Sequence, residues 1–434
     1  MIKLIFKQLW NQRKMNTWIF LEIIVAGVFL WYTVDTAFVT TAVNLIPNGY
    51  EENGMYKIEL DGYRPNHKHY DKEVMTNEHR VETLQRMMDQ VRTLPEVQSF
   101  YLASTASIPN SKSWSGGQFF SDTLSMAKQK YQHAQWYEVY DGGGSDFLQT
   151  LGLKDAQSGE VLSMTKGEQI PNRCYISEDF AKNLFGSVDP INQRVYEDRQ
   201  RVYTVKGVFG NIKTIEFHIP YTLIIQCSQE MPINSPMLVV RLKKGVDGEQ
   251  FAERFMKEVA PTMKGANLYV ADVKSMTSLR KEYGIIRNVY NRQRLQYSLI
   301  SFTLLCVFLG MVGTFSIRTN ARRQEIGLMR SLGASTLTIV KQFFCESWLL
   351  VTSGFILSLI GLANLLAMGN GMTQPQGGYE TSGNASFWMF AEAPHFIAVT
   401  LLTYVLLLAI SWIGTYIPVR KAVKVLPADA LRDE

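Results

Sequence analysis

No GxxxxGK loop followed by Ser or Thr occurs in these 434 residues, so this sequence offers no phosphate cradle for nucleotide hydrolysis. GxSxG and HExxH are missing too, which excludes the serine-hydrolase elbow and the zinc-protease helix. Cysteine is scarce: Cys174, Cys227, Cys306 and Cys345 form no CxxC and no zinc spacing with the six histidines. Cys306 and Cys345 fall in or beside apolar runs and read as small apolar fillers, while spacing leaves open whether Cys174 and Cys227 pair. The nearest metal candidate is His67 and His69, with His79 further on. Lacking cysteine or paired acids at fixed spacing, it reads as a solvated loop. Nucleic-acid binding is not expected, because the basic residues are not interleaved with aromatics in one stripe.

Charge is the other scarcity, and it is local. The chain as a whole is 46% hydrophobic and 19% charged, as an ordinary soluble protein would be. Yet residues 17–34 carry only Glu22, and residues 295–317, 347–368 and 393–419 carry no Asp, Glu, Lys or Arg. Each run reaches or approaches the roughly 20 residues that cross a bilayer as helix, so we assign spans at 17–41, 295–317, 343–368 and 395–418. Short cytoplasmic connections retain Lys and Arg. They do so at Lys3, Lys7, Arg13 and Lys14, at Arg318, Arg322, Arg323, Arg330 and Lys341, and at Arg420, Lys421, Lys424 and Arg432, while residues 369–394 have neither. Both termini and the 318–342 turn are therefore placed in the cytoplasm, and the 369–394 loop outside. A signal peptide in place of the first span would break the even pairing of helices. Residues 1–16, with Ile2, Ile5, Phe6 and Leu9 on one face, read as an interfacial amphipathic helix, and 419–434 as a cytoplasmic tail. Glu22 either makes a buried polar contact or reaches the interface.

Between the first two spans lies one large translocated segment, 42–294, whose basic residues are exempt from the short-loop rule. Strand-like stretches at 55–63, 96–104, 173–176, 194–197, 201–209 and 237–245 alternate with helical ones at 76–94, 178–185 (capped by Ser177) and 247–259. That order predicts an α+β domain of two lobes. Residues 278–298 read as one polar helical stalk entering the second span without interruption.

The sequence RRQEIGLMRSLGAS, residues 322–335, fills the cytoplasmic turn. At about 100° per residue with Glu325 at zero, Leu328, Leu332, Met329 and Ile326 make an apolar arc centred near about 20°, with Glu325 almost at its middle and Arg322 beside it. Arg323 and Arg330 form a separate ridge, and Gly327 lies on the small, neutral side. Gly333 is placed to end the helix and Ser335 to cap the next. A glutamate among leucines fits a protein-facing helix better than one lying on lipid headgroups.

The spacing of Arg322, Glu325, Ile326, Gly327, Arg330, Gly333 and Ala334, followed by Phe344 and Glu346, resembles the coupling helix of MacB/FtsX-like permeases of the type VII ABC superfamily. The tail IPVRKAVKVLPADALRDE and the stretches YISEDFAKNLFGSVDPINQRVY and YTVKGVFGNI are similar to that family as well. The resemblance implies four transmembrane helices with a large α+β periplasmic core domain inserted between the first and second, in a bacterial inner-membrane, multi-pass, non-catalytic subunit. It implies a stand-alone permease whose residues Arg322, Arg323, Glu325, Ile326, Gly327, Leu328, Met329, Arg330, Leu332, Gly333 and Ala334 dock a separate ABC ATPase, where ATP and magnesium would bind. It further implies pairing with a second permease, contact with membrane lipids and, for an exporter, a periplasmic adaptor and an outer-membrane channel. The work implied is mechanotransmission serving export. Regulation of a periplasmic hydrolase or sensor, or release of lipoproteins, are the alternatives.

Overall fold

The computed structural model describes residues 13–74, 76–164, 172–187, 189–368, 371–374 and 391–423. The interfacial helix, apart from residues 13–16, and the end of the tail therefore lie outside the described residues. The chain opens with α1 (Arg13–Leu45), β1 (Met55–Gly62), α2 (Asn77–Thr93), β2 (Val97–Ser104), β3 (Gly116–Phe119), α3 (Thr123–Ala127), β4 (Gln132–Tyr140) and α4 (Phe147–Leu151). It continues with β5 (Arg173–Ser177), α5 (Glu178–Phe185), β6 (Arg194–Tyr196), β7 (Val202–Phe209), β8 (Leu223–Ser228), β9 (Pro236–Leu242) and α6 (Gly248–Arg254), which runs on as a π-turn over Phe255–Val259. β10 (Lys264–Gly265), β11 (Leu268–Ser275), α7 (Met276–Ile286), α8 (Val289–Ala321), α9 (Arg323–Ser331), α10 (Thr336–Ala367) and α11 (Glu392–Val423) complete it. Helices α1, α8, α10 and α11 are each long and apolar enough to cross a membrane.

Two compact units result, one holding the long helices with α9 and the other holding Val43–Val289. The second unit is built on one eleven-stranded sheet, ordered β10-β11-β1-β9-β2-β4-β8-β5-β7-β6 with β3 paired to β4. Pairing is antiparallel except at β4–β8 and β5–β7. Side chains alternate across a strand, so β2 sends Tyr101 and Ala103 into a core shared by both halves of the sheet and Phe100 and Leu102 into another. β8 does the same with Ile225 and Ile224. The two expected lobes thus share one continuous sheet and one core, and each keeps a private core on the opposite face. α2 covers the first private core with Leu84, Met87, Met88 and Val91 fully buried, each contributing roughly 1.5–3 kcal/mol by leaving water. Thr76 caps this helix by accepting the His79 N–H.

Several elements differ from expectation. Strands β3, β4, β8, β10 and β11 are additional; β8 (Leu-Ile-Ile-Gln-Cys-Ser) is a short run buried on both faces, and such a run has no period to read. Ser177 precedes α5 but does not cap it. Its hydroxyl instead accepts the Leu223 N–H of β8 (3.0 Å), while Asn211 Oδ1 accepts the Asp179 N–H. Cys174 and Cys227 are unpaired buried thiols. The uninterrupted stalk over 278–298 is overturned: α7 stops at Ile286, Asn288 takes φ 54°, and α8 begins at Val289. Asparagine tolerates this left-handed conformation, so the helix is interrupted there.

The segment leaving α1 is pinned to the domain by the 211–216 loop. Lys213, with no exposed surface, donates through Nζ to the Val43 carbonyl (2.6 Å) near the end of α1, where helix carbonyls lack partners. Arg280 of α7 reaches Glu52 and Glu216, both at 3.2 Å. Gly49 sits at φ 77°, and a Cβ there would stand 2.3 Å from the Asn211 carbonyl oxygen. Gly49→Ala should therefore destabilise the domain by about 2–4 kcal/mol, since left-handed strain and a backbone clash add. A urea midpoint equal to that of the wild type would refute this close approach.

Burial pushes the Lys213 ammonium down to about 8. From there up to the ordinary lysine value near about 10.4 the unfolded chain holds a proton that the folded chain has lost, so stability rises with pH. The expected gain has a ceiling of about 3 kcal/mol. Urea midpoints of wild type and Lys213→Met, compared across that window, should show the rise in the former and a flatter profile in the latter.

Candidate functional site

α9 is a short helix held between two membrane helices. Gly333 takes φ 90° and ends it, with the Ala334 N–H returning to the Met329 carbonyl (2.9 Å), and Ser335 caps α10 by accepting the Thr338 N–H. These expectations hold. Its attachment is a buried charge cluster that the turn's own sequence does not announce. Glu346, inside α10 and 0% exposed, accepts from Arg318 Nη2 (3.1 Å) at the end of α8 and from Arg322 Nη1 (2.8 Å) at the start of α9. Arg322 then forks onto Glu325 through Nε (2.7 Å) and Nη2 (2.9 Å). The Arg322 fork holds Glu325 below the usual carboxylate range. Phe315 and Phe343 lie under the two guanidinium groups, each 5.1 Å from its ring centre. Two arginines and two glutamates balance, and weakly hydrated, planar guanidinium suits such burial.

This latch decides which way α9 faces. Ile326 and Gly327 are buried, and Arg330 donates to the Val423 carbonyl at the end of α11. Leu328 is 52% and Leu332 79% exposed, with Gln324 and Ser331 on the same side. The expected picture is thereby turned. Gly327 packs against its own chain rather than lying on an open side, and the arginine ridge points toward the helices. Glu325 sits at the rim of the open face, half-exposed and committed to Arg322. Met329 and Arg323 are half-buried, and Ala334 packs against the helical core. Of the expected residues, the structure brings Arg322 and Glu325 together and presents Leu328 and Leu332 outward.

Sequence reasoning used Arg318 only as a topology marker and Glu346 only as part of the motif, and did not pair them. The available signal was one acid within an apolar helix, in FFCESWLL, and one arginine at the end of another. Asp35 was missed in the same way. It lies 2.7 Å from His395 Nε2, both without exposure, and accepts the Thr373 N–H (2.8 Å). Glu22 lies against α8: its carboxylate fills the space that any side chain at Gly310 would need, and Oε2 is buried with no hydrogen-bond partner among the described residues.

Two family models match this chain. The MacB-like periplasmic core domain covers residues 38–257, just over half of it, and the FtsX-like permease C-terminal region covers 297–427. The chain belongs to the MacB/FtsX-like ABC permease family. The latch and α9 both lie within the FtsX-like region, and an FtsX-like permease is the non-catalytic membrane part of its transporter. Among similar proteins, the macrolide export ATP-binding/permease protein MacB of Campylobacter fetus is 28% identical over 301 residues, 67% of this chain and 43% of that protein. MacB of Neisseria meningitidis is 24% identical over 236 residues, covering 52% and 35%. The chain thus spans less than half the length of the curated relatives it matches. The periplasmic region of MacB from Actinobacillus actinomycetemcomitans aligns over 54% of this chain and 94% of its own, at 12% identity and a TM-score of 0.33.

Proposed function

We propose that this permease is the membrane subunit of an ABC complex that turns ATP hydrolysis in a separate ATPase into movement of its periplasmic domain, serving export. The carrying observation is α9: an exposed leucine face mounted on a latch that joins the end of α8 to the interior of α10. A push on that face is passed through Arg322 to Glu346 and Arg318, and so to α8. The basic residues flanking the spans support an inner-membrane topology with both termini and α9 in the cytoplasm. A second permease, an adaptor and an outer-membrane channel complete the reading, with ATP and magnesium held by the ATPase.

The full chain, tagged and isolated from native membranes in mild detergent, should carry with it an ATPase that holds a phosphate loop, with hydrolysis residing in that partner. Isolation without an ATP-binding partner, or ATP hydrolysis by the recombinant 434-residue chain alone, would overturn the reading.

A further inference from the structure

A cavity of about 190 Å³ opens between β1, the loop after β2 and α7. Lys57 and Glu59 line it from one face of β1, and Leu279, Glu282 and Tyr283 from one face of α7. Its apolar part is Ile108 and Leu279, both buried. Most of its charge is already committed. Glu282 takes Lys112 at 2.6 Å, and Lys274, outside the lining, binds Glu282 at 3.4 Å and Glu59 at 3.2 Å.

Lys57 is the exception. Its side chain is only 13% exposed, its one ion contact is 3.6 Å from Glu59, and it donates no hydrogen bond among the described residues. Asn110, also lining the cavity and 4% exposed, accepts the Glu216 N–H on Oδ1, and its side chain meets the Tyr50 hydroxyl. The least committed polar group of the lining is therefore a donor, the Lys57 ammonium. The space equals about six water volumes, below the range of roughly 300–1,000 Å³ that takes drug-sized ligands.

We propose that this cavity binds a small carboxylate, with its oxygens on Lys57 and its short apolar part against Ile108 and Leu279. A free carboxylic acid and a peptide C-terminus present the same group. Because three lining residues sit on α7, occupancy should also slow amide exchange in that helix.

The test is calorimetry on the full chain in nanodiscs with lactate, the dipeptide Ala-Ala, and lactamide as the uncharged control, up to about 10 mM, beyond the weak end of ordinary affinities. Lactate or Ala-Ala should bind, and lactamide should not. Preference for lactate points to a free acid, and preference for Ala-Ala to a chain terminus. Lys57→Met should weaken binding at least about tenfold and Lys57→Arg should largely restore it, each variant melting as the wild type does. Amide exchange in α7 should slow only with the bound probe. No heat with either carboxylate, equal binding of lactamide, or undiminished binding by Lys57→Met would overturn the site.

Discussion

Replacing Glu346 by glutamine is expected to cost the helical unit about 3–5 kcal/mol, the usual penalty for removing one member of a buried ion cluster. Arg318 is 1% exposed and would keep its charge with no carboxylate at its side, and Arg322 would retain only Glu325 at the rim. Thermal unfolding in detergent, followed at the tryptophans of the long helices, should show the loss. The loss should persist in high salt, because ions do not screen charges they cannot approach. The triple change Arg318→Met, Arg322→Met and Glu346→Met separates stability from role. Apolar replacement of a whole buried cluster is often neutral or stabilising, so this variant should melt near the wild type. It should still fail to couple, since α9 would be tied to α8 and α10 by contacts that can slide. A Glu346→Gln protein that melts like the wild type would mean that water reaches the cluster.

Leu328→Asp combined with Leu332→Asp is expected to leave the fold within about 0.5 kcal/mol of wild type, as surface substitutions usually do. Leu332 is largely exposed and Leu328 half-exposed, and neither belongs to the helical core. Association with the ATPase should fall by about 2–4 kcal/mol, roughly 30- to 1,000-fold, the cost of losing central anchors of an interface. Quantitative pull-down of the ATPase with wild-type and variant permease reads this directly, and equal recovery would move the docking face elsewhere on α9. Gly327→Leu provides the contrast. Because Gly327 is buried within the chain, that change should act on stability first and on docking only through it.

Much of this permease was legible because its signals are local. The charge-poor runs became α1, α8, α10 and α11. Thr76, Gly333 and Ser335 punctuate helices as their chemistry predicts. The failures share one cause. Ser177 looks like a cap by position, but the Leu223 N–H of β8, distant in sequence, takes its hydroxyl. Residues 278–298 look like one helix by composition, but Asn288 turns out of it. The helical wheel of α9 set Leu328 and Leu332 on one face, but it placed Gly327 on an open side and could not show Ile326 and Gly327 packing inward, because the wheel contains no neighbours.

The sequence by itself determined the four spans, the α+β character of the inserted domain, and the caps that bound α9, because helix length, alternation and capping depend on residues a few positions apart. Only the tertiary structure decided that two lobes share one sheet, that Arg318, Arg322 and Glu346 form a latch, and that Leu328 and Leu332 are left facing outward. The shared sheet depends on strands paired across long separations, and the latch and its consequence for α9 on charges brought together from positions 24 and 28 residues apart. In a buried setting an unpaired charge costs more than an exposed leucine, and that inequality set the orientation of α9.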